Sequence, residues 1–397
     1  MTPTERLYYA DSLLLDFEAE VLAVDRDNRV VLDQSAFYPE GGGQMSDRGT
    51  IAEIPVSHVQ VDDAGVVHHV LEGAPPTVGT RVRGNVDRAR RRVHMALHTG
   101  QHLLSRALTD VAGAETVSAR LGESACTIDV DRAELAESLA SKAESLCTEL
   151  IAEDLLVRAF FPDADELARL PLRRAPKVED RVRVVQIGDF DVTPCGGTHC
   201  LRTSQVGLIH LSGLERYKGG TRVTFEAGAR ARRVLVEESS LLRALGKGMS
   251  CGGAEVPGAV DKLRRELQSA REELGRARAA LAERAADELL LAARERGDTT
   301  VIAFLDGASR ELLAGVAARI TAEPGAVAIL AGSASDGMPV LVARGGQASF
   351  DCAAFLRQLA AATGGRGGGK PERAEGRLPT ATDFAAQARS VLEARAQ

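Results

Sequence analysis

The sequence predicts an α+β protein: a small N-terminal β-barrel, an α+β domain, a helical hairpin spacer and a small C-terminal α/β domain. Three observations predict it. Short β-rich runs with close turns fill residues 1–87. A helical apolar period opens mixed strands and helices over 88–229. An Ala-, Leu-, Glu- and Arg-rich stretch, 230–297, then gives way to alternating strand and helix signals over 298–397. A chain of 397 residues is long enough for two to four domains, and 44% apolar residues suffice for their cores.

In the first segment, Leu13–Val24 and Arg29–Leu32 read as strands around the turn Asp25-Arg26-Asp27-Asn28. Ile51–Val61 and Gly65–Leu71 follow, around Asp62-Asp63-Ala64-Gly65. His68 and His69 are adjacent on a strand and face opposite ways, so they do not serve one site. The run Phe37–Gly49, FYPEGGGQMSDRG, interrupts the barrel. Its three glycines allow positive φ and close approach of a ligand to the backbone, or simply a flexible turn. It has no Walker lysine and is not a nucleotide P-loop. Arginines 81, 83, 88, 90, 91 and 92 then cluster with one acid, Asp87, among them. They read either as a solvated face or as a phosphate-binding patch.

Arg88–Leu108 reads as a helix carrying His98 and His102. Thr116–Val130 reads as two strands about Gly122, Glu134–Leu170 as helix, and Val182–Phe190 as a strand leading to Thr193–Cys200, TPCGGTHC. Val206–Leu211 and Thr221–Glu226 close the domain. In 230–297, glycines 246, 248, 252 and 253 with Pro257 divide two helices. The second carries a heptad seam from Val260 through Leu263, Leu267, Leu274 and Leu281. The last segment reads as strands Thr300–Phe304, Ala326–Ala331 and Val340–Ala343 with helices Arg310–Ile320 and Phe350–Ala362. Thr363–Leu378, TGGRGGGKPERAEGRL, reads as a cationic glycine loop suited to anions, and helix Asp383–Ala396 follows it.

Composition narrows the class. Six scattered cysteines do not make a disulfide framework. The N-terminus is polar, and no run of eighteen apolar residues exists, so no membrane partner and a cytoplasmic protein are expected. A net charge of −7 forbids no nucleic-acid partner, because local clustering of basic residues decides that.

The chemistry concentrates in two pairs. His98 and His102 are four apart, one turn along one helix face, where two imidazoles can share a zinc at about 2.0–2.1 Å each. Cys195 and His199 are also four apart, and Gly196-Gly197 puts them on a loop. Together they make a mixed nitrogen and sulfur set that favours zinc, one ion per chain. Four protein ligands usually make a structural site, whereas catalysis needs an open or expandable position, so spacing leaves the role open. Residues 99–101 are Thr, Gly and Gln, not the glutamate-bearing spacing of a zinc protease, and an ester suits such a site better than a peptide.

FYPEGGGQMSDRG, LHTGQHLLSRAL, TVSARLGESACTIDV and TPCGGTHC, in that order, resemble the editing domain of alanyl-tRNA synthetase and its free-standing relatives, the AlaX-type alanyl-tRNA editing proteins. GRGGGKPERAEGRL resembles the DHH-associated C-terminal domain of those synthetases. The resemblance spans nearly the whole chain. It lacks the aminoacylation core and so is closest to the long free-standing editor. It implies hydrolysis of the ester in seryl-tRNA(Ala), and of glycyl-tRNA(Ala), at a zinc held by His98, His102, Cys195 and His199. Gly41, Gly42, Gly43 and Gln44 are implied to lie near the acceptor end, and the C-terminal domain, with Arg366, Lys370 and Arg373, to grip the tRNA. Thr99, Gln101 and Gln44 are candidates for reading the serine hydroxyl, since a site that bonds the hydroxyl discriminates better than an apolar pocket. The hairpin or the C-terminal domain offers a homodimer contact. Gly100 departs from an expected alanine, and Arg120 stands where long-form relatives often carry histidine. The competing reading is a non-catalytic tRNA-binding zinc protein. A DHH-type phosphoesterase is disfavoured because no Asp-His-His tripeptide occurs.

Overall fold

A computed structural model describes residues 2–176, 181–335, 337–380 and 382–396. The chain divides into two compact units, Met1–Ala244 and Leu245–Gln397.

The first unit begins with β1 (Glu5–Arg6), a 3-10 turn at Leu7–Tyr9, β2 (Asp16–Val24), β3 (Arg29–Leu32) and β4 (Gln34–Ser35). β5 (Gly49–Ile51), β6 (Ile54–Val61), β7 (Val67–Leu71) and β8 (Arg81–Val86) follow. Six of these close a barrel in the order β2-β3-β7-β6-β5-β8. Alternation along β2 and β8 points Phe17, Ala19, Val21, Val82 and Val86 inward, where they meet Val30, Leu32, Phe37, Ile51 and Val59. The predicted strand Ile51–Val61 is in fact a hairpin. Ala52 and Glu53 take φ of 51° and 65°, a tight turn that no glycine announced. His69 is buried and bonded to Ser35 Oγ and to the Val30 carbonyl, while His68 faces Asp62.

α1 (Arg88–Ala112) is capped by the Asp87 carboxylate, which accepts from the Ala89 and Arg90 amides, and ends at Gly113 in the left-handed region. β9 (Thr116–Leu121), β10 (Cys126–Val130), α2 (Glu137–Ala152), β11 (Val157–Phe160), α3 (Ala164–Arg169), β12 (Val184–Ile187) and β13 (Asp191–Pro194) come next. β14 (Ile209–Tyr217), β15 (Gly220–Ala227) and α4 (Gly228–Gly248) complete the run. The sheets are β14-β15-β10-β9 and β11-β12-β13. Glu134–Leu170 is therefore not one helical stretch. Val157–Phe160 leaves the helix to pair antiparallel with β12, because the sheet needs an edge partner. The core joins α1, α2 and the four-stranded sheet through Leu97, Leu104, Leu108, Ile128, Val223 and Phe225.

The second unit contains α5 (Val256–Arg296), β16 (Thr300–Leu305), α6 (Arg310–Ile320), β17 (Val327–Gly332), β18 (Met338–Arg344) and α7 (Cys352–Thr363). β19 (Arg366–Gly369), β20 (Arg373–Leu378) and α8 (Phe384–Ala396) end it. Its sheet runs β16-β17-β18-β20-β19. One face packs on α7 and α8 through Ile329, Val340, Phe355 and Leu359. The other packs on α6 and the end of α5 through Leu290, Leu313, Val316, Leu330 and Leu341. The predicted loop Thr363–Leu378 is a β-hairpin, the one substantial misreading in this unit. Gly365, Gly367 and Gly376 are needed for packing: a Cβ on Gly367, for example, would stand 2.8 Å from Gly376 Cα and from Leu356 Cδ2.

Candidate metal centre

α1 carries the first pair of donors and the loop after β13 the second. His98, His102, Cys195 and His199 converge, their donor atoms all within 4.8 Å of one another. Cys195 Sγ lies 3.4 Å from His98 Nε2 and 3.3 Å from His199 Nε2. Separations near 3.3–3.8 Å are roughly what bonds of about 2.0–2.3 Å in a tetrahedron require. The three rings are buried and Cys195 is half-buried.

The far nitrogens of two rings are hydrogen-bonded, and that of the third, His102, lies against a carboxylate without a well-aligned hydrogen bond. His98 Nδ1 is 2.7 Å from Gln44 Oε1, which also accepts from the Thr198 amide, while Gln44 Nε2 donates to Thr198 Oγ1. An oxygen acceptor there makes His98 Nδ1 the protonated nitrogen and leaves the Nε2 lone pair facing Cys195. His199 Nδ1 is 3.3 Å from Thr99 Oγ1, and His102 Nδ1 is 3.3 Å from Asp191 Oδ2. Asp191 is itself held by Arg173 and by the Thr193 hydroxyl. Partners of this kind fix ring orientation and tautomer at metal sites.

The electrostatics agree. Burial alone would raise the Cys195 thiol, but His98, His199 and His102 bring it well below its ordinary value, toward thiolate. Burial, with His98 beside it, lowers His199 to about 3, so this ring is neutral. His102 is raised: burial opposes its charge, but Cys195 and Asp191 outweigh burial. Burial would raise Asp191 too, yet His102 and Arg173 hold it at about 2.

The helix is seated by two features that the residue pattern did not show. Arg91 is 1% exposed and spans the interface to the barrel. It pairs with buried Asp47 at 2.6 Å and donates to the Ser12 and Ala36 carbonyls. It is thus not part of a cationic surface. Arg81, Arg83 and Arg90 also face carboxylates, Glu18, Asp16 and Glu123. Of this run, Arg88 and Arg92 stay exposed with no ion pair among the described residues, so a phosphate patch here would rest on those two alone. Gly100 abuts the sheet, where a Cβ would come 3.0 Å from Ala227 Cβ.

Other predicted residues distribute differently. Gly43 is pinned against β9, its carbonyl accepting from the Leu121 amide, and a Cβ there would stand 2.5 Å from the Ala119 carbonyl oxygen. Gly41 and Gly42 remain on the loop surface, and Tyr38 Oη donates to the Gly41 carbonyl. Gln44 and Thr99 are buried with their polar atoms spent on His98, Thr198, His199 and the Cys200 amide, so they support rings rather than stand open to a hydroxyl. Gln101 Nε2 donates to Ser105. Cys200 points into the core. Arg366, Lys370 and Arg373 lie on the exposed hairpin of the second unit, with Arg373 paired to Glu375. Asp191 and Thr193 were missed. Alternation along β13 places Asp191, Thr193 and Cys195 on one side, which is the signal that could have found them.

Comparison with known proteins matches this architecture. The family model for class II (A) tRNA synthetases covers residues 11–90 and that for the threonyl and alanyl tRNA synthetase second additional domain covers residues 182–224. The DHHA1 domain covers residues 297–397. Barrel, donor loop and C-terminal sheet thus place the chain among relatives of tRNA synthetases. An alanine–tRNA ligase of Archaeoglobus fulgidus is 34% identical over 392 residues, 96% of this chain and 43% of that one. One of Methanopyrus kandleri is 31% identical over 389 residues, 94% and 42%. One of Thermofilum pendens is 35% identical over 292 residues, 68% and 32%. The chain spans less than half the length of these relatives. It is an AlaX-like protein, related to the editing and C-terminal domains of alanyl-tRNA synthetase. The C-Ala domain from Aquifex aeolicus alanyl-tRNA synthetase matches at TM-score 0.22 and 17% identity, covering 24% of this chain and 87% of that one, too loosely to carry an argument.

Proposed function

We propose that this protein is a cytoplasmic aminoacyl-tRNA deacylase that hydrolyses the ester of tRNA(Ala) mischarged with serine or glycine, at a zinc held by His98, His102, Cys195 and His199. The carrying observation is the convergence of one donor atom each from His98, His102, Cys195 and His199, while Gln44 and Thr99 bond the far nitrogens of His98 and His199 and Asp191 faces that of His102. The donor set fits zinc in softness, number and spacing. Bound there, zinc would supply Lewis acidity toward a carbonyl or hydroxyl oxygen.

The chain's own groups do the rest. Asp191 stays anionic and orients His102; with His102, Arg173 and Thr193 as partners it is committed and is not a free base. The Gly41–Gly42 backbone offers a surface for the acceptor end beside the site, with Gln44 beneath it. Arg366, Lys370 and Arg373 are assigned to the tRNA body. Thr99 and Gln101 shape selectivity by setting the His199 ring and the adjacent helix face. A homodimer through the helical spacer would cover Leu263, Leu267, Leu274 and Leu281, all at least half exposed on α5; light scattering tests it.

One observation favours a second reading: four protein donors can saturate zinc, making it structural in a tRNA-binding protein without turnover. Deacylation of seryl-, glycyl- and alanyl-tRNA(Ala) by catalytic amounts of protein, with and without chelator, separates the two. The deacylase reading expects many turnovers on the first two and sparing of alanyl-tRNA(Ala). Equal discharge of alanyl-tRNA(Ala) overturns proofreading, and absence of turnover supports the structural reading.

A further inference from the structure

We infer that Arg183 is a positioning residue of the metal centre: its guanidinium clamps the Cys195 and Gly197 carbonyls across Gly196 and holds the donor loop in its binding form before an ion arrives. This rests on reading His98, His102, Cys195 and His199 as metal donors.

The loop needs such a clamp. It has no regular structure after β13, and two successive glycines separate its donors. Gly197 cannot be replaced by a stiffer residue, because a Cβ there would stand 2.1 Å from His98 Cε1. An unrestrained loop would lose its conformational entropy on binding the ion. Farther along, the loop is anchored from elsewhere: Gln44 takes the Thr198 amide, and Thr99 Oγ1 takes the Cys200 amide.

Arg183 supplies the anchor at the cysteine end. Its Nη1 donates to the Cys195 carbonyl at 3.0 Å and to the Gly197 carbonyl at 2.8 Å. Among the described residues no other hydrogen bond reaches either carbonyl. The Arg183 carbonyl in turn accepts from the Cys195 amide at 2.9 Å, so one residue holds Cys195 from both sides. The turn so closed aims the Gly197 amide at Cys195 Sγ, 3.4 Å away.

The surroundings leave the guanidinium to this task. Arg183 is 5% exposed and forms no ion pair among the described residues, so no carboxylate competes with the two carbonyls. The Tyr9 ring lies 5.1 Å from its Cζ and offsets the buried charge through its π face. Tyr9 is itself fixed: Arg6 donates to its Oη at 2.9 Å, and the Tyr8 and Phe161 rings meet it at 4.8 and 5.5 Å. The N-terminal turn thus braces the clamp.

The test uses the full chain and two readings. One is zinc affinity by chelator competition. The other is amide hydrogen exchange of residues 195–200 in metal-free protein, with the barrel strands as internal reference. Arg183→Ala should bind zinc about 10- to 100-fold more weakly, as expected when a group orienting metal ligands is lost. Its loop should exchange faster while the barrel does not. Millimolar methylguanidinium should restore affinity to Arg183→Ala and leave the wild type unchanged. Arg183→Lys should recover little, because an ammonium lacks the planar array of donors. Tyr9→Leu should show a smaller loss of the same kind. If Arg183→Ala fails to fold, Arg183→Lys and Tyr9→Leu decide by the same readings. Wild-type zinc affinity in these variants, or exchange that rises equally in barrel and loop without rescue, overturns the clamp. A wild type that binds no zinc removes the metal reading, and loop exchange in the metal-free chain still decides the clamp. Zinc bound without turnover sinks the deacylase reading alone.

Discussion

At the scale of single residues, the groups behind the donors matter nearly as much as the donors. Asp191 is buried and holds His102 by charge and Gln44 holds His98 by an oppositely built contact, a neutral amide locked by Thr198. Asp191→Asn and Gln44→Ala are each expected to weaken zinc binding about 10- to 100-fold, measured by competition with a chromogenic chelator. Unchanged affinity in both would mean the rings are oriented by packing alone. Arg91 and Asp47 are buried together, and removing one partner strands the other's charge. Arg91→Met should cost about 3–5 kcal/mol in urea unfolding. His69, remote in the barrel, gives a pH signature. Burial lowers it to about 4, below its ordinary 6.5. The unfolded chain therefore binds the extra proton first, so this stabilisation is complete above pH 6.5 and is lost as pH falls from 6.5 toward 4. Unfolding free energies measured between pH 7 and 4.5 should decline more steeply in the wild type than in His69→Gln.

At the scale of elements, α1 couples barrel, sheet and donor loop. Its spacing was plain in the sequence, but its tight seat was not. Gly100 reads as a defect worth about 1 kcal/mol of helix propensity. In the fold it is the point where α1 touches Ala227 and Ile209. Gly100→Ala should therefore fail to stabilise: overpacking of about 1–3 kcal/mol outweighs the propensity gain, and the displaced helix should bind zinc more weakly. A thermal melt above the wild type's would contradict that. The hairpin of β19 and β20 teaches a similar lesson. Glycines that look like a loop by composition are here strand residues, because the sheet and α7 leave no room for side chains on one face.

At the scale of the molecule, two compact units suggest two unfolding steps. The donor cluster lies wholly in the first unit, so metal stabilises that unit by mass action. Calorimetry should show two transitions, and chelator should lower only one; a single transition shifted as a whole would mean the units unfold together. No helix among the described residues is long and apolar enough to cross a membrane. The sequence by itself determined the helix bearing His98 and His102, the loop bearing Cys195 and His199, the barrel strands β2, β3, β6 and β7 (though not β5 or β8) and the helices of the second unit, because local periodicity and turn chemistry act over a few residues. Only the tertiary structure decided that residues about a hundred positions apart meet, that Gln44, Thr99 and Asp191 stand behind the rings, that Arg91 is internal, and that Arg183 has unspent donors beside Tyr9. Those are distances between segments, and chain closure, not local pattern, sets them.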